Sequence, residues 1–149
     1  MLEALIRGDA LEVEQLLTTL IQSASIHDVA RQPENFYHGI IFGILRAFAT
    51  SYEVLSNREP GFGRPDVLIR PPQAGSPGVV LEFKAVNNNR HDDFEQALQS
   101  ALQQIQDQDY ATELRAFGAQ PIHEFAVVFA GKRVRVRKQE ISPDEESYL

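Results

Sequence analysis

A chain of 149 residues with 43% hydrophobic content and nine Phe can fill one core, and its 23% charged residues with ordinary Gly and Pro exclude a disordered or fibrous polymer. Cysteine is absent, which excludes a disulfide framework, a thiolate zinc site and a cysteine nucleophile, and suits a reducing compartment, with the cytoplasm as the expected location. Fourteen Lys and Arg against twenty-one Asp and Glu give a net charge of -7, the wrong sign for a free-standing protein that holds nucleic acid tightly by its phosphates.

The chain opens on MLEALIRGDALEVEQ, acidic where a secretory signal would be basic, and no apolar run approaches the roughly 18 residues of a membrane span. Neither export nor a membrane partner is expected. Behind Asp9, a candidate N-cap, Leu16, Leu17, Leu20 and Ile21 fall at helical spacing, so residues 10–23 read as an amphipathic helix covering the core. From Pro33 the series Phe36, Tyr37, Ile40, Ile41, Ile44, Leu45, Phe48 recurs at three and four, with proline where a missing N–H is harmless. This predicts a second, better-buried helix.

Three strand-like runs follow at 52–55, 66–69 and 79–86, separated by Gly- and Pro-rich segments, and a meander is the simple arrangement. PPQAGSPG at 71–78 reads as a hairpin loop, and Asn87, Asn88 and Asn89 close the third strand. Phe94, Ala97, Leu98, Ala101, Leu102 and Ile105 then mark the clearest helix, with Asp92 or Asp93 as its cap. EFAVVFA and KRVRVRK bracket Ala130 and Gly131 as a final hairpin. The expected order is α, α, β, β, β, α, β, β. No repeat or linker divides it, so one domain over 1–149 is expected: a helical cover at 1–31, a core at 33–138 and a polar, frayed tail at 142–149.

Within VVLEFKAV the side chains alternate, so Val79, Leu81, Phe83 and Ala85 face one way while Val80, Glu82, Lys84 and Val86 face the other. Glu82 and Lys84 are thus neighbours, within about 7 Å, on one face of an otherwise apolar strand. Asp66 opens the preceding strand, and adjacent strands lie roughly 4.8 Å apart, so its carboxylate can converge with that of Glu82 on one hard cation such as Mg²⁺. Lys84 could orient a water or stabilise a developing anion. With each charged type at about 6% of residues, a Glu-x-Lys triplet arises by chance about 0.5 times in a chain of this length, so the apolar flanks and the upstream acid carry the argument.

GRPDVLI, then VVLEFK after a loop, then a helix rich in Ala and Gln, resembles the PD-(D/E)XK nuclease superfamily. The likeness is closest to the nuclease-like domain often found behind AAA-ATPase-like domains. It extends over ENFYHG at 34–39, SNREPGFGRPD at 56–66, LEFK at 81–84, ALQQIQDQDY at 101–110 and FAGKRVRV at 129–136. The resemblance implies an α/β, restriction-endonuclease-like αβββαβ core. Its mixed sheet would be flanked by helices, with an extra N-terminal helix and a C-terminal hairpin. It also implies a Mg²⁺-dependent nuclease, with Mn²⁺ as a substitute, hydrolysing phosphodiester bonds of nucleic acid, DNA above RNA. Asp66, Glu82 and the backbone carbonyl of Phe83 would hold the metal, Lys84 would be the catalytic lysine, and Glu34 on the helix before the sheet would support them. An ATPase-type partner protein and a homodimer are both compatible with this.

Several residues carry a second reading. Glu34 also suits the positive N-terminus of its helix, and His38, one turn on, suits hydrogen-bonded structure as well as the site. Gln104 and Tyr110 either reach the site from the later helix or simply present polar groups to water on the outside of that helix. Arg58, Arg64 and Arg70 surround Asp66 in sequence, and Arg133, Arg135 and Arg137 alternate on one strand face beside Lys132 and Lys138. These bases either contact phosphate or guard an edge strand. Gly61 and Gly63 precede a strand rather than a helix, so they form a turn delivering Asp66 and not a dinucleotide loop. The competing functions are a catalytically silent binding or regulatory module of the same fold and a purely structural α/β domain.

Overall fold

The computed structural model describes residues 1–23, 33–56, 66–87 and 91–139, with the side chains of Pro33, Glu34 and His91 outside that description. Asp9 caps the helix that follows it: its side chain accepts a hydrogen bond from the Glu12 N–H at 3.0 Å, satisfying a donor that the first turn leaves open. That helix, α2 (Ala10–Gln22), buries Val13, Leu17 and Ile21. A short helix not expected from the sequence precedes it, α1 (Leu2–Arg7), which ends at Gly8 with φ +75°. Six residues are too few to announce a helix by periodicity. Helix α3 (Pro33–Phe48) carries Tyr37, Ile41 and Leu45 inward at helical spacing, as its apolar pattern predicts.

The sheet has the order β1-β2-β3-β4-β5, namely β1 (Glu53–Ser56), β2 (Val67–Arg70), β3 (Gly78–Ala85), β4 (Ile122–Ala130) and β5 (Arg133–Gln139). β1, β2 and β3 form the expected antiparallel meander, each strand displaced by about one residue from its predicted bounds. β4 runs parallel to β3, which requires a crossover, and α4 (His91–Asp107) supplies it. Asp92 and Asp93 lie in the first turn of α4 and do not cap it, because the helix begins at His91; there they still favour the positive end of the helix dipole. A further short helix that the sequence does not announce, α5 (Thr112–Phe117), leads into β4. β4 and β5 make the predicted hairpin, turning at Gly131 with φ +58°. The tail at 142–149 lies outside the described residues.

Alternation along β3 sorts its residues between the two faces. Val79, Leu81 and Phe83 join Val67, Ile69, Phe125, Val127 and Phe129 in a core closed by α1, α2 and α3. Val80 faces the other way, packing with Leu68, Ile105, Tyr110 and Leu114, and Ala126, Val128 and Ala130 pack beneath Phe94, Leu98 and Ala101 of α4. The result is an α/β arrangement with a mixed sheet between two helical layers. Glu82 and Lys84 therefore face α4, on the side of the sheet opposite α3.

Candidate active site

Register brings the acids together. Val67 pairs with Leu81 and Leu68 with Val80, so Asp66, one step before β2, stands opposite Glu82 on the same face. The Asp66 carboxylate is held in place, since its Oδ2 accepts a hydrogen bond of 2.8 Å from the Phe83 N–H. Glu82 is 5% exposed, an acid set into a strand otherwise lined by Val, Leu and Phe. A carboxylate so placed loses water without the protection of the surface, which is the condition under which a cation is a favourable neighbour.

Lys84 reaches back along the same face, where its Nζ donates to Gln104 Oε1 at 2.8 Å. Gln104 Nε2 in turn donates to the Tyr110 hydroxyl at 3.0 Å. Six residues separate Gln104 from Tyr110, too many for one helical face, and the chain is folded back after α4 by Asp109 at φ +47°. Burial raises the Tyr110 pKa above its ordinary value, the Gln104 hydrogen bond lowers it, and the charges of Glu82 and Asp66 raise it further. Tyr110 thus lies within the field of both acids, and the five side chains form one cluster.

His38 is 8% exposed and approaches the cluster from the opposite face. Its Nε2 stands 3.1 Å from the Asp66 carbonyl oxygen and 2.8 Å from Ser56 Oγ. A carbonyl can only accept, so in that bond Nε2 carries the proton. The imidazole also lies parallel to Phe42, with ring centres 5.9 Å apart. It ties α3 to the ends of β1 and β2, at the residue whose side chain is the first acid of the site. Ser56 was not foreseen; a serine ending a strand carries no sequence signal for this contact.

Glu34 lies at the start of α3, but its side chain is outside the described residues, as are Arg58, Arg64, Gly61 and Gly63. Arg70 does not surround Asp66. It is four residues along β2, about 13 Å away at strand rise, where it pairs with Glu53 and lies over the Phe117 ring, 5.3 Å from its centre. Arg133, Arg135 and Arg137 share the α4 face of β5, as alternation requires. They are engaged there: Arg137 pairs with Glu95 at 2.7 Å, and the Arg133 and Arg135 guanidinium groups lie 5.9 and 5.6 Å from the centre of the Phe94 ring. β5 is also an edge strand.

Among the described residues, no group of three His, Cys, Asp or Glu side chains is disposed to hold a metal. The donors that do converge are two hard carboxylates, Asp66 and Glu82, next to the main chain of Phe83. That set is insufficient for zinc. It suits a small hard dication, which binds through one or two carboxylates and keeps several waters.

A mixed sheet with a meander feeding a parallel crossover, and two acids and a lysine on the β2–β3 face beneath the crossover helix, defines a restriction-endonuclease-like fold. A sequence profile of the PD-(D/E)XK nuclease superfamily matches residues 32–139, and the chain belongs to that superfamily. No curated protein matches it.

Proposed function

We propose that this protein is a Mg²⁺-dependent nuclease hydrolysing phosphodiester bonds, with DNA as the preferred substrate, in one domain spanning 1–149 and acting in the cytoplasm. The observation that carries the reading is the convergence of Asp66, Glu82 and Lys84 on one sheet face, with Gln104 and Tyr110 bracing the lysine. Asp66 and Glu82 would hold the cation, with the Phe83 carbonyl and Glu34 as further ligands. Mn²⁺ would substitute, sharing the preference for oxygen donors. Such a cation lowers the pKa of water and neutralises charge developing on the phosphoryl oxygens.

In the proposed reaction a water oxygen bonds to phosphorus and gives up a proton to bulk solvent, while the P–O bond to the leaving sugar oxygen breaks and that oxygen takes a proton from solvent. Lys84 is suited to the attacking side. An ammonium has three donors, and Gln104 Oε1 occupies one in a fixed direction, leaving two to orient water or a phosphoryl oxygen. His38 keeps the Asp66 main chain in position and Phe83 N–H keeps its carboxylate in position, so the acids need little reorganisation when substrate arrives. Arg58, Arg64, Arg133, Arg135 and Arg137 would contact the phosphate backbone, the last three by exchanging Phe94 and Glu95 for phosphate.

The test is incubation of purified protein with plasmid and with oligonucleotides in Mg²⁺ or Mn²⁺, alongside Glu82→Gln and Lys84→Met. Cleavage by the wild type that both substitutions abolish is expected. Cleavage that persists unchanged in both would overturn the reading. Two observations favour a second reading: the net charge of -7 and the internal engagement of Arg133, Arg135 and Arg137 fit a catalytically silent module that receives nucleic acid from a partner, such as an ATPase-type protein or a second copy. Co-purification of a partner with neither Mg²⁺ nor nucleic-acid binding in calorimetry would select it.

A further inference from the structure

We infer that Tyr110 is a further catalytic residue, whose hydroxyl donates a hydrogen bond to a non-bridging oxygen of the scissile phosphate alongside Lys84. This rests on the nuclease reading for its substrate. The contact is a hydrogen bond and moves no proton.

The polarity of three linked groups fixes where the Tyr110 proton can go. Lys84 can only donate, so the end of the Gln104 side chain that stands 2.8 Å from its Nζ must be the carbonyl oxygen. The other end is then the amino group, which can only donate, and the Tyr110 hydroxyl 3.0 Å from Nε2 must accept. The lysine thus sets every role along the chain from Lys84 through Gln104 to Tyr110. What remains is the phenolic hydrogen, and among the described residues no group accepts it. Tyr110 is 6% exposed, and a donor so buried is unfavourable unless a bound group accepts from it.

Position and charge select the acceptor. One amide separates the two donors, so Lys84 Nζ and the Tyr110 hydroxyl oxygen lie within about 8 Å of each other. Hydrogen bonds of about 2.8 Å from both can therefore meet on a single phosphate group. The ring is held for this purpose, packed among Leu68, Val80, Ile105 and Leu114, so little freedom is lost when substrate arrives. Asp66 and Glu82 would balance a dication, and Lys84 the single charge of a phosphodiester, so a further donor fits the balance only if it is neutral. Tyr110 meets that condition. Burial holds its pKa above the ordinary value, against the lowering by Gln104 and with the charges of Glu82 and Asp66 in support, so at neutral pH the phenol keeps its proton.

The experiment compares the full chain with Tyr110→Phe, which keeps the packed ring, in single-turnover cleavage of a DNA oligonucleotide in Mg²⁺. The same strand is also made with the Rp or the Sp phosphorothioate at the cleaved linkage. On the ordinary phosphate the variant should be slower by about 30-fold, less than for loss of a charged donor. On the isomer whose sulfur replaces the oxygen contacted by Tyr110 the loss should shrink to about threefold, because sulfur accepts weakly, and on the other isomer it should persist. The ratio between isomers is internal to each preparation, so a smaller folded fraction of the variant does not alter it. An unchanged rate, or the same loss on both isomers, removes the contact and keeps the nuclease, since a hydroxyl that only steadies Gln104 treats the isomers alike. Fluorescence anisotropy of the ordinary strand in Ca²⁺ supplies a readout without cleavage, where Tyr110→Phe should bind about threefold more weakly. That weakening in a wild type that never cleaves keeps the contact and removes the nuclease, and neither binding nor cleavage overturns both.

Discussion

At the scale of single residues, Lys84 and Gln104 separate a group that would act on substrate from one that positions it. Removing the ammonium in Lys84→Met should lower the cleavage rate by about 100-fold, the usual effect of deleting one preorganised charged donor. Gln104→Ala leaves the ammonium in place but frees it to rotate, and a loss of about tenfold is expected; single-turnover rates on one oligonucleotide would rank the two. Glu124 makes a prediction of a different kind. Burial raises its pKa, outweighing the lowering by Arg115, and Asp109 raises it further. A carboxyl whose folded pKa lies above its unfolded value stabilises the fold fully below the unfolded pKa, and that contribution disappears as pH rises through the folded pKa. Neutral Glu124→Gln should therefore melt at a higher temperature than the wild type at pH 7, with the gap closing as pH falls through the carboxylate range.

At the scale of elements, β5 is an edge strand whose outward amides would otherwise be open to pairing with another chain. Glu14 on α2 closes one of them, its Oε1 accepting from the Val136 N–H at 2.9 Å, and Lys132 Nζ donates to the Gln22 carbonyl at the end of the same helix. Glu14→Ala should cost about 1 kcal/mol in denaturant unfolding, the typical value of a half-exposed charged hydrogen bond. Static light scattering at rising concentration should then show more self-association than in the wild type. The link between α1 and α2 is less tolerant. Gly8 has φ +75°, and a Cβ there would stand 2.6 Å from the His123 ring and 2.7 Å from Lys138 Nζ. Gly8→Ala should destabilise by about 1–2 kcal/mol from the left-handed backbone alone, with the clash in addition.

At the scale of the whole molecule, the boundary of the family match and the boundary of the core differ. The match begins at residue 32, yet Leu5, Val13, Leu17 and Ile21 lie buried in the same cluster as Tyr37, Leu81 and Phe125. Each such side chain contributes about 1.5–3 kcal/mol, so together they approach the roughly 5–15 kcal/mol that a domain has in total. Residues 32–139 expressed alone should lose cooperative thermal unfolding, whereas the full chain should show a single transition by calorimetry. The helices before the match are thus a structural requirement of the sheet face opposite the candidate site. Among the described residues no helix is long and apolar enough to cross a membrane.

Local pattern alone was sufficient for much of this. The three-and-four spacing of apolar residues in α2, α3 and α4, the N-cap at Asp9, the turn at Gly131 and the alternation that puts Glu82 beside Lys84 all depend on neighbours within one or two turns or strand steps, and were legible in the sequence. The six-residue helices α1 and α5 were not, because they are too short for a period to show. The approach of Asp66 to Glu82 followed from the expected meander, but the residue-by-residue register that sets them opposite depends on which strands pair and did not. Only the tertiary structure decided what the other charged and polar residues do: Arg70 turned away to Glu53 and Phe117, Arg137 held by Glu95, His38 bonded to the Asp66 carbonyl, and Gln104 and Tyr110 joined to Lys84. Such contacts join residues far apart in the chain, and a polar side chain on a helix or strand looks the same in sequence whether it meets water, a carboxylate or an ammonium group.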